Sequence, residues 1–195
     1  MNYSALQIDG LKEIINIGGG NAATSIAKLV DKKIEMQVPE VEILSYKTIY
    51  EQMLAETEEV TAVLSTVLGD LPGVFLFILT KRSASKMTEF LIGSDEYKKE
   101  VQESAITELA NILTNSFLGA IGKLLKKEVI STSPHFYFDY FGAIISSIYM
   151  EMNQFDEQIL IIRNEFRYDQ ESLEASLFFI PEPGVIEKIL KIIGI

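Results

Sequence analysis

Two sets of four residues, three polar and one proline, have the same spacing in this sequence. Each consists of an Asp or Ser, a Glu four residues later, an Asn three residues after that, and a Pro a further 23 residues along. The sets are Asp9, Glu13, Asn16 and Pro39, and Ser104, Glu108, Asn111 and Pro134. On an α-helix a Glu and an Asn three positions apart point to the same side. Such a pair offers a negative charge for a cationic group and a neutral amide that can orient a water molecule.

Other chemistries fit these residues poorly. His135 is the only histidine, it has no counterpart in the first set, and no serine lies in a nucleophile elbow. We therefore expect His135 to be a surface or strand residue. Asp9 and Glu13 resemble a pair of metal ligands or of acid–base carboxylates, but Ser104 replaces the aspartate in the second set. From these residues alone, a solvated polar stripe on a helix stays open as an alternative.

The three glycines Gly18–Gly20 follow the first Asn. They do not follow a strand, so the context of a phosphate-binding loop is missing. Within a helix each glycine costs about 1 kcal/mol relative to alanine. We expect close packing to compensate, most simply against a second long helix. Thr114 and Asn115 replace glycines in the second copy, which favours a structural role.

Composition restricts the classes of protein. The 195 residues are 48% hydrophobic and 23% charged, which is typical of one compact domain. The formal net charge of −11 argues against nucleic acid and against an anionic membrane surface. Cysteine is absent, so disulfides and thiolate metal sites are excluded. The sequence shows no signal peptide and no membrane-inserting segment, and a cytoplasmic location is the expectation.

The elements that must position these residues follow from periodicity and caps. In the first half we predict a helix from Ser4, with Gln7 as its capping-box partner, to about 30, and a strand over 33–42 that ends near Pro39. A short helix over 49–55, a hairpin of 60–68 with 73–80, and a helix capped by Ser83 that ends at 92 follow. In the second half we predict a helix from 94 or 95 to 126, a strand over 129–140 and a helix over 143–153. A hairpin of 158–168 with 173–180 and a last helix that Pro183 opens in its first turn complete it.

The two sets are 95 residues apart and the order of elements repeats with them. A period of this length with two copies indicates a duplicated unit rather than a solenoid. We predict an α+β fold with pseudo-two-fold symmetry, in which two long helices pack on a roughly six-stranded sheet. Residues 1–195 are predicted to form one cooperative domain, built of repeats at about 1–93 and 94–195.

The doubled pattern resembles the motif of the CheC-type chemotaxis phosphatase family. Both copies match the family's Asp/Ser, Glu, Asn and Pro positions, and residues 16–24 are similar to the family's first helix. The resemblance covers essentially the whole chain. Two sites per chain resemble CheC-type members rather than CheX-type relatives, and from the chain length we expect no extra domain of the kind that the flagellar-switch phosphatases carry.

The resemblance implies hydrolysis of the aspartyl phosphate of the response regulator CheY. Asn16 and Asn111 would each position the attacking water, and Glu13 and Glu108 would anchor the partner's active-site lysine. Asp9, Ser104, Pro39 and Pro134 would support the sites. The chain would hold no metal or cofactor of its own, because the required Mg²⁺ belongs to CheY.

The family also implies a second protein partner. CheD, a glutamine deamidase, binds CheC-type proteins and raises their activity, and we expect it to dock around 143–156. The alternative is a binding module that sequesters CheD or phosphorylated CheY, or that acts at the flagellar switch, with hydrolysis incidental.

Overall fold

The computed structural model describes residues 3–30, 35–152, 158–168 and 171–195. The elements of the first half are α1 (Ala5–Val30), β1 (Glu35–Ser45), α2 (Tyr46–Gln52), β2 (Glu59–Gly69), β3 (Gly73–Thr80) and α3 (Lys81–Ile92). Those of the second half are α4 (Lys99–Leu125), β4 (Val129–Ser131), β5 (His135–Tyr140), α5 (Phe141–Met152), β6 (Gln158–Tyr168), β7 (Glu171–Pro181) and α6 (Val185–Ile193). Helices and strands alternate irregularly, and every strand pair is antiparallel. The predicted α+β class is confirmed.

The sheet has the strand order β1-β6-β7-β3-β2-β4, and β5 also pairs with β2. β5 pairs with the first part of β2 and β4 with its last part, so the seven strands fill six positions. The halves exchange their first strands, because β1 pairs with β6 while β4 and β5 pair with β2. This order is compatible with a duplicated unit whose axis passes between β3 and β7. The assignment of the chain to one domain of two repeats stays a prediction.

Helices cover both faces of the sheet. On one face, α1, α3, α4 and α6 enclose the larger apolar cluster, in which Phe75, Phe77 and Phe117 are almost fully buried. On the other face, α2 and α5 enclose a second cluster around Phe141 and Tyr149. The predicted packing of two long helices on the sheet is confirmed. The second helical layer is a finding of the structure, since short helices show too little periodicity to assign a face.

Several predicted helix boundaries were wrong. Thr80, rather than Ser83, caps α3, because its Oγ1 accepts a hydrogen bond from the Ser83 N–H at 3.2 Å. The α4 helix begins at Lys99 instead of 94 or 95, since the Ser94 hydroxyl accepts from the Glu96 N–H in a turn. The α2 helix starts at Tyr46, three residues early, where Ser45 and Thr48 form a capping box.

The last helix also starts later than predicted. Pro183 lies in a turn in which the Val185 N–H donates to the Glu182 carbonyl at 3.1 Å. Gly184 in this turn has a φ of 81°, which glycine adopts without steric cost. The α6 helix therefore begins at Val185. The α5 helix begins at Phe141, two residues before its predicted start at 143. Its predicted end at 153 and the predicted start of β1 at 33 lie outside the described residues.

The two motif prolines interrupt strand pairing without ending the sheet. Between Gln37 and Glu40, β1 advances three residues while β6 advances two, so Pro39 lies in a bulge within the strand. The predicted 129–140 strand is divided into β4 and β5, and Pro134 lies between them. There too the proline-containing segment has one residue more than β2 opposite it. Proline lacks the N–H that a ladder requires, so it is tolerated at such bulges.

Candidate functional site

The first Glu and Asn are on the outer side of α1. The helix starts with the predicted capping box, in which Ser4 N–H donates to Gln7 Oε1 at 3.0 Å and Gln7 N–H donates to Ser4 Oγ at 3.3 Å. Leu11, Ile14 and Ile15 on the inner side are at most 5% exposed. Glu13 and Asn16 are both exposed. The inner side of α1 therefore packs in the core, and its outer side presents the pair to solvent.

The second pair has the same placement on α4. Its neighbours Leu109, Ala110 and Leu113 are at most 1% exposed. Glu108 is exposed, and Asn111 is half-buried. Each long helix thus presents one carboxylate and one amide a single turn apart, which is the geometry that the sequence predicts.

Asp9 and Ser104 are exposed on the same stripes, one turn before each glutamate. One turn before Asp9 and one turn before Ser104, the same helix face carries an exposed aliphatic residue that was not predicted from the sequence. Leu6 is 64% exposed and Val101 is 42% exposed, and the two are separated by the same period of 95 residues. The repeat itself was the signal that would have found them. An apolar contact beside each polar pair favours a protein partner over a small ion.

Asn111 differs from Asn16 in its surroundings. The Asn115 side chain donates from Nδ2 to Asn111 Oδ1 at 2.7 Å and to the Asn111 carbonyl at 2.9 Å. The Ser131 hydroxyl on β4 donates to Asn115 Oδ1 at 3.0 Å. Gly20 occupies the place of Asn115 in the first copy. The sequence alone identifies Asn115 only as the replacement of a glycine, because the contact to Ser131 depends on tertiary structure.

The structure separates the roles of the glycines. A Cβ added at Gly18 would be 3.0 Å from the Phe117 ring of α4, so the prediction of close helix–helix packing is confirmed there. A few residues further on, Ser116 Oγ donates to Ser25 Oγ at 2.9 Å across the same pair of helices. A Cβ at Gly20 would meet nothing within 4 Å. Gly20 is thus open surface beside the first site.

In the part of the chain that the structure describes, no group of three or more His, Asp or Glu side chains is placed to bind a metal. His135 is exposed at the start of β5, opposite Leu64.

Hydrogen bonds from the Glu128 N–H and the Lys188 ammonium lower the pKa of Asp70 below its usual value. Asp70 lies in the β2–β3 turn, away from the motif in the chain.

The arrangement favours chemistry done jointly with a second molecule. An exposed carboxylate and amide, without a nucleophile or metal ligands around them, can dock a cation and orient a water. They supply no reactive group that would attack a substrate by themselves. Among the described residues, no helix combines the length and apolar character that crossing a bilayer requires.

The sequence and fold are similar to those of chemotaxis and flagellar proteins. The CheC-like family matches residues 6–43. The chain is 31% identical over 196 residues to the CheY-P phosphatase CheC of Bacillus subtilis (strain 168), which covers 96% of this chain and 94% of that protein. Its fold resembles that of Thermotoga maritima FliY, with a TM-score of 0.82, 18% identity and 98% of each chain covered.

A further structural relative is a chain in the crystal structure of the CheX-CheY-BeF3-Mg²⁺ complex from Borrelia burgdorferi. The TM-score is 0.55 and the identity is 16%, with 90% of this chain and 99% of that chain covered. At these identities the structural likenesses show the fold alone. The identity to the Bacillus protein extends over nearly the full length of both sequences, and it places the chain in the CheC-like family.

Proposed function

We propose that this protein hydrolyses the aspartyl phosphate of a CheY response regulator, using two sites, one on α1 and one on α4. The observation that carries the proposal is the doubled, outward-facing Glu/Asn pair, in a chain that is 31% identical to a CheY-P phosphatase. The exposed aliphatic residue beside each pair supports docking of a folded partner.

In the proposed reaction the partner contributes the phosphoryl group and its Mg²⁺. Asn16 or Asn111 orients a water in line with the phosphorus. The water oxygen forms a bond to phosphorus as the bond to the aspartyl oxygen breaks, which yields inorganic phosphate and a free aspartate carboxylate. The water's proton leaves to phosphate or solvent. An acyl phosphate is already reactive. Positioning of the attacking water and exclusion of bulk solvent therefore supply the acceleration, and the enzyme needs no nucleophilic side chain.

The glutamates have a separate role in this proposal. Glu13 and Glu108 are exposed carboxylates one turn from the asparagines. Each would bind the active-site lysine of CheY and thereby fix the distance between the amide and the phosphorus. Asp9, Ser104, Pro39 and Pro134 would support the sites: the first two are on the same helix faces, and the prolines lie in the bulges of β1 and of the β4–β5 segment.

The test is the decay of phosphorylated CheY with wild-type protein and with the Asn16→Ala/Asn111→Ala double variant. Loss of both positioning amides is expected to slow the catalysed decay about 100-fold. Each single variant should keep part of the activity. Asn21→Ala is a matched control, because Asn21 is an exposed helical asparagine outside the motif whose side chain bonds to the Ile17 carbonyl. Equal decay with the wild type and the double variant would exclude the mechanism.

A binding role involving CheD is the second candidate, and the outer side of α5 favours it. Met150 is 59% exposed there, and Ala143 and Ser147 are exposed on the same side. We propose this face as the CheD docking surface; the remainder of the expected segment, 153–156, lies outside the described residues. Met150→Glu should weaken CheD binding in a titration while leaving the decay of phosphorylated CheY unchanged. Tight CheD binding together with negligible turnover would favour the adaptor role.

A further inference from the structure

The two sites differ in one respect that the repeat does not preserve. In the second site the Asn115 amide contacts Asn111, as described above, and every hydrogen-bonding group of the Asn115 side chain is engaged. Its two N–H hydrogens go to Asn111 Oδ1 and to the Asn111 carbonyl, and its oxygen accepts from Ser131. A primary amide has two donors and one acceptor oxygen. The Asn115 side chain therefore has one fixed orientation.

Because its own orientation is fixed, the Asn115 side chain also restrains Asn111. The backbone carbonyl of Asn111 only accepts, so the Asn115 atom beside it must be nitrogen, and the same nitrogen then meets Asn111 Oδ1. The Asn111 amide is thereby restrained against rotation about its own side-chain bonds. The contact with Asn115 uses only the two oxygens of Asn111, so both N–H donors of the Asn111 amide can bind a water.

Within the residues that the structure describes, no hydrogen bond of this kind restrains Asn16. Gly20 has no side chain to offer, and a Cβ placed there would have open space around it. Met36 stands 95 residues before Ser131 in the sequence, and a methionine has no hydroxyl to donate. Asn16 is more exposed than Asn111, so its amide samples more orientations in the free protein.

We infer that Asn115, oriented by Ser131, is a positioning residue that preorganises Asn111 and makes the second site the faster of the two. This inference rests on the proposed hydrolysis of the CheY aspartyl phosphate. It predicts an effect on turnover rather than on docking, because Asn115 acts through Asn111 and preorganisation lowers the barrier of the chemical step.

The test isolates each site. In an Asn16→Ala background the second site alone is active, and Asn115→Ala is expected to lower kcat about 10-fold with KM unchanged. Ser131→Ala should lower kcat by a smaller factor, and Ser131→Thr, which keeps the hydroxyl, should restore it. Binding to CheY loaded with BeF3⁻ and Mg²⁺ and the thermal midpoint should stay as in the background protein. Asn21→Ala, which removes a similar bond to a helix carbonyl, serves as the control.

A gain-of-function variant of the first site tests the same inference. In an Asn111→Ala background the first site alone is active, and Gly20→Asn introduces the missing amide into open space. We expect kcat to rise about threefold, less than the loss above, because no hydroxyl fixes the new side chain. Unchanged kcat in Asn115→Ala, or a rise in KM in place of the fall in kcat, would overturn the inference. The proposed function fails separately, if the Asn16→Ala/Asn111→Ala double variant is fully active.

Discussion

Glu13 and Glu108 are exposed carboxylates that no described ion pair occupies. Each is therefore available to a cationic group of a partner. The neighbouring asparagines carry no charge, so the two residue types contribute differently to a docked complex. Charge governs the affinity of the encounter, whereas orientation of the amide governs the rate of the chemical step.

This division leads to a prediction for the Glu13→Gln/Glu108→Gln double variant. The KM for phosphorylated CheY should rise about 10-fold, equivalent to about 1.4 kcal/mol of binding, while kcat changes by less than about twofold. The wild-type KM should also rise with salt more steeply than that of the variant. Steady-state kinetics at low and high salt measure both effects.

Glu103→Gln is the matched control for this experiment, since Glu103 is an exposed glutamate of α4 outside the motif. It removes one carboxylate charge, whereas the double variant removes two, and it lies outside both Glu/Asn pairs. A fall in kcat at constant KM in the double variant would assign the glutamates to the chemical step instead of to docking.

The charge of Asp70 is linked to the stability of the fold. It accepts hydrogen bonds from the Glu128 N–H at 3.1 Å and from the Lys188 ammonium at 3.3 Å, so it joins the β2–β3 turn to the start of β4 and to α6. These contacts lower the pKa of Asp70 in the folded state. A lowered pKa means that the ionised carboxylate is more stable in the native protein than in the unfolded chain.

The resulting pH dependence has a definite sign. The contribution of the Asp70 charge is fully present above the unfolded pKa of about 4 and is lost as the pH falls through the lower folded value. Asp70→Asn should therefore lower the thermal midpoint at pH 7, and the difference from wild type should shrink below about pH 4. Thermal unfolding followed by circular dichroism at several pH values measures it. A difference that grows toward acid pH would contradict the assignment.

At the scale of the elements, the contact between α1 and α4 determines where the two sites lie. The helices meet where Gly18 faces the ring of Phe117, which is only 1% exposed. Because glycine has no Cβ, the backbone of α1 approaches α4 closely at this point. Gly20, two residues further along, faces open space.

Alanine substitutions at these two glycines should therefore have different effects. Both gain about 1 kcal/mol from helix propensity, but Gly18→Ala also forces the buried ring to shift, which costs about 1–3 kcal/mol. We expect Gly18→Ala to be less stable than Gly20→Ala by about 2 kcal/mol. Urea unfolding of the two variants measures the difference. Equal stability would show that the helices do not need a glycine at their contact.

The whole molecule is held together by strands exchanged between the halves. β1 of the first half pairs with β6 of the second, and β5 of the second pairs with β2 of the first. The larger cluster contains side chains from both halves, including Ile26 and Ile106, which are at most 1% exposed. Neither half buries its apolar surface alone, so unfolding should be a single transition.

Two core variants test this cooperativity. Ile26→Ala and Ile106→Ala lie in different halves, and each should cost about 3 kcal/mol of unfolding free energy. Both should shift one common transition in urea, whether it is followed by circular dichroism or by tyrosine fluorescence. Two separate transitions, of which each variant moves one, would indicate two domains.

Much of the architecture follows from local pattern. The capping box of Ser4 and Gln7 predicted the start of α1, and both hairpins were predicted with nearly the observed bounds, because caps and hairpins use residues that are near in sequence. The wrong boundaries occur where several capping residues compete. Ser83, Ser94 and Pro183 are all good starting residues for a helix, and the choice among such residues depends on which backbone groups the packed elements leave free.

The sequence by itself determined that two Glu/Asn pairs exist with the same spacing, because a fixed offset on a helix sets a common face whatever surrounds it. It also determined that the glycines and Asp9 are not conserved between the two copies, so the chemistry common to both sites does not depend on them. Tertiary structure decided how the two copies differ. Asn115 restrains Asn111 through Ser131 on β4, and Gly18 admits the Phe117 ring of α4. Both contacts join residues on different elements, and only packing brings those elements together.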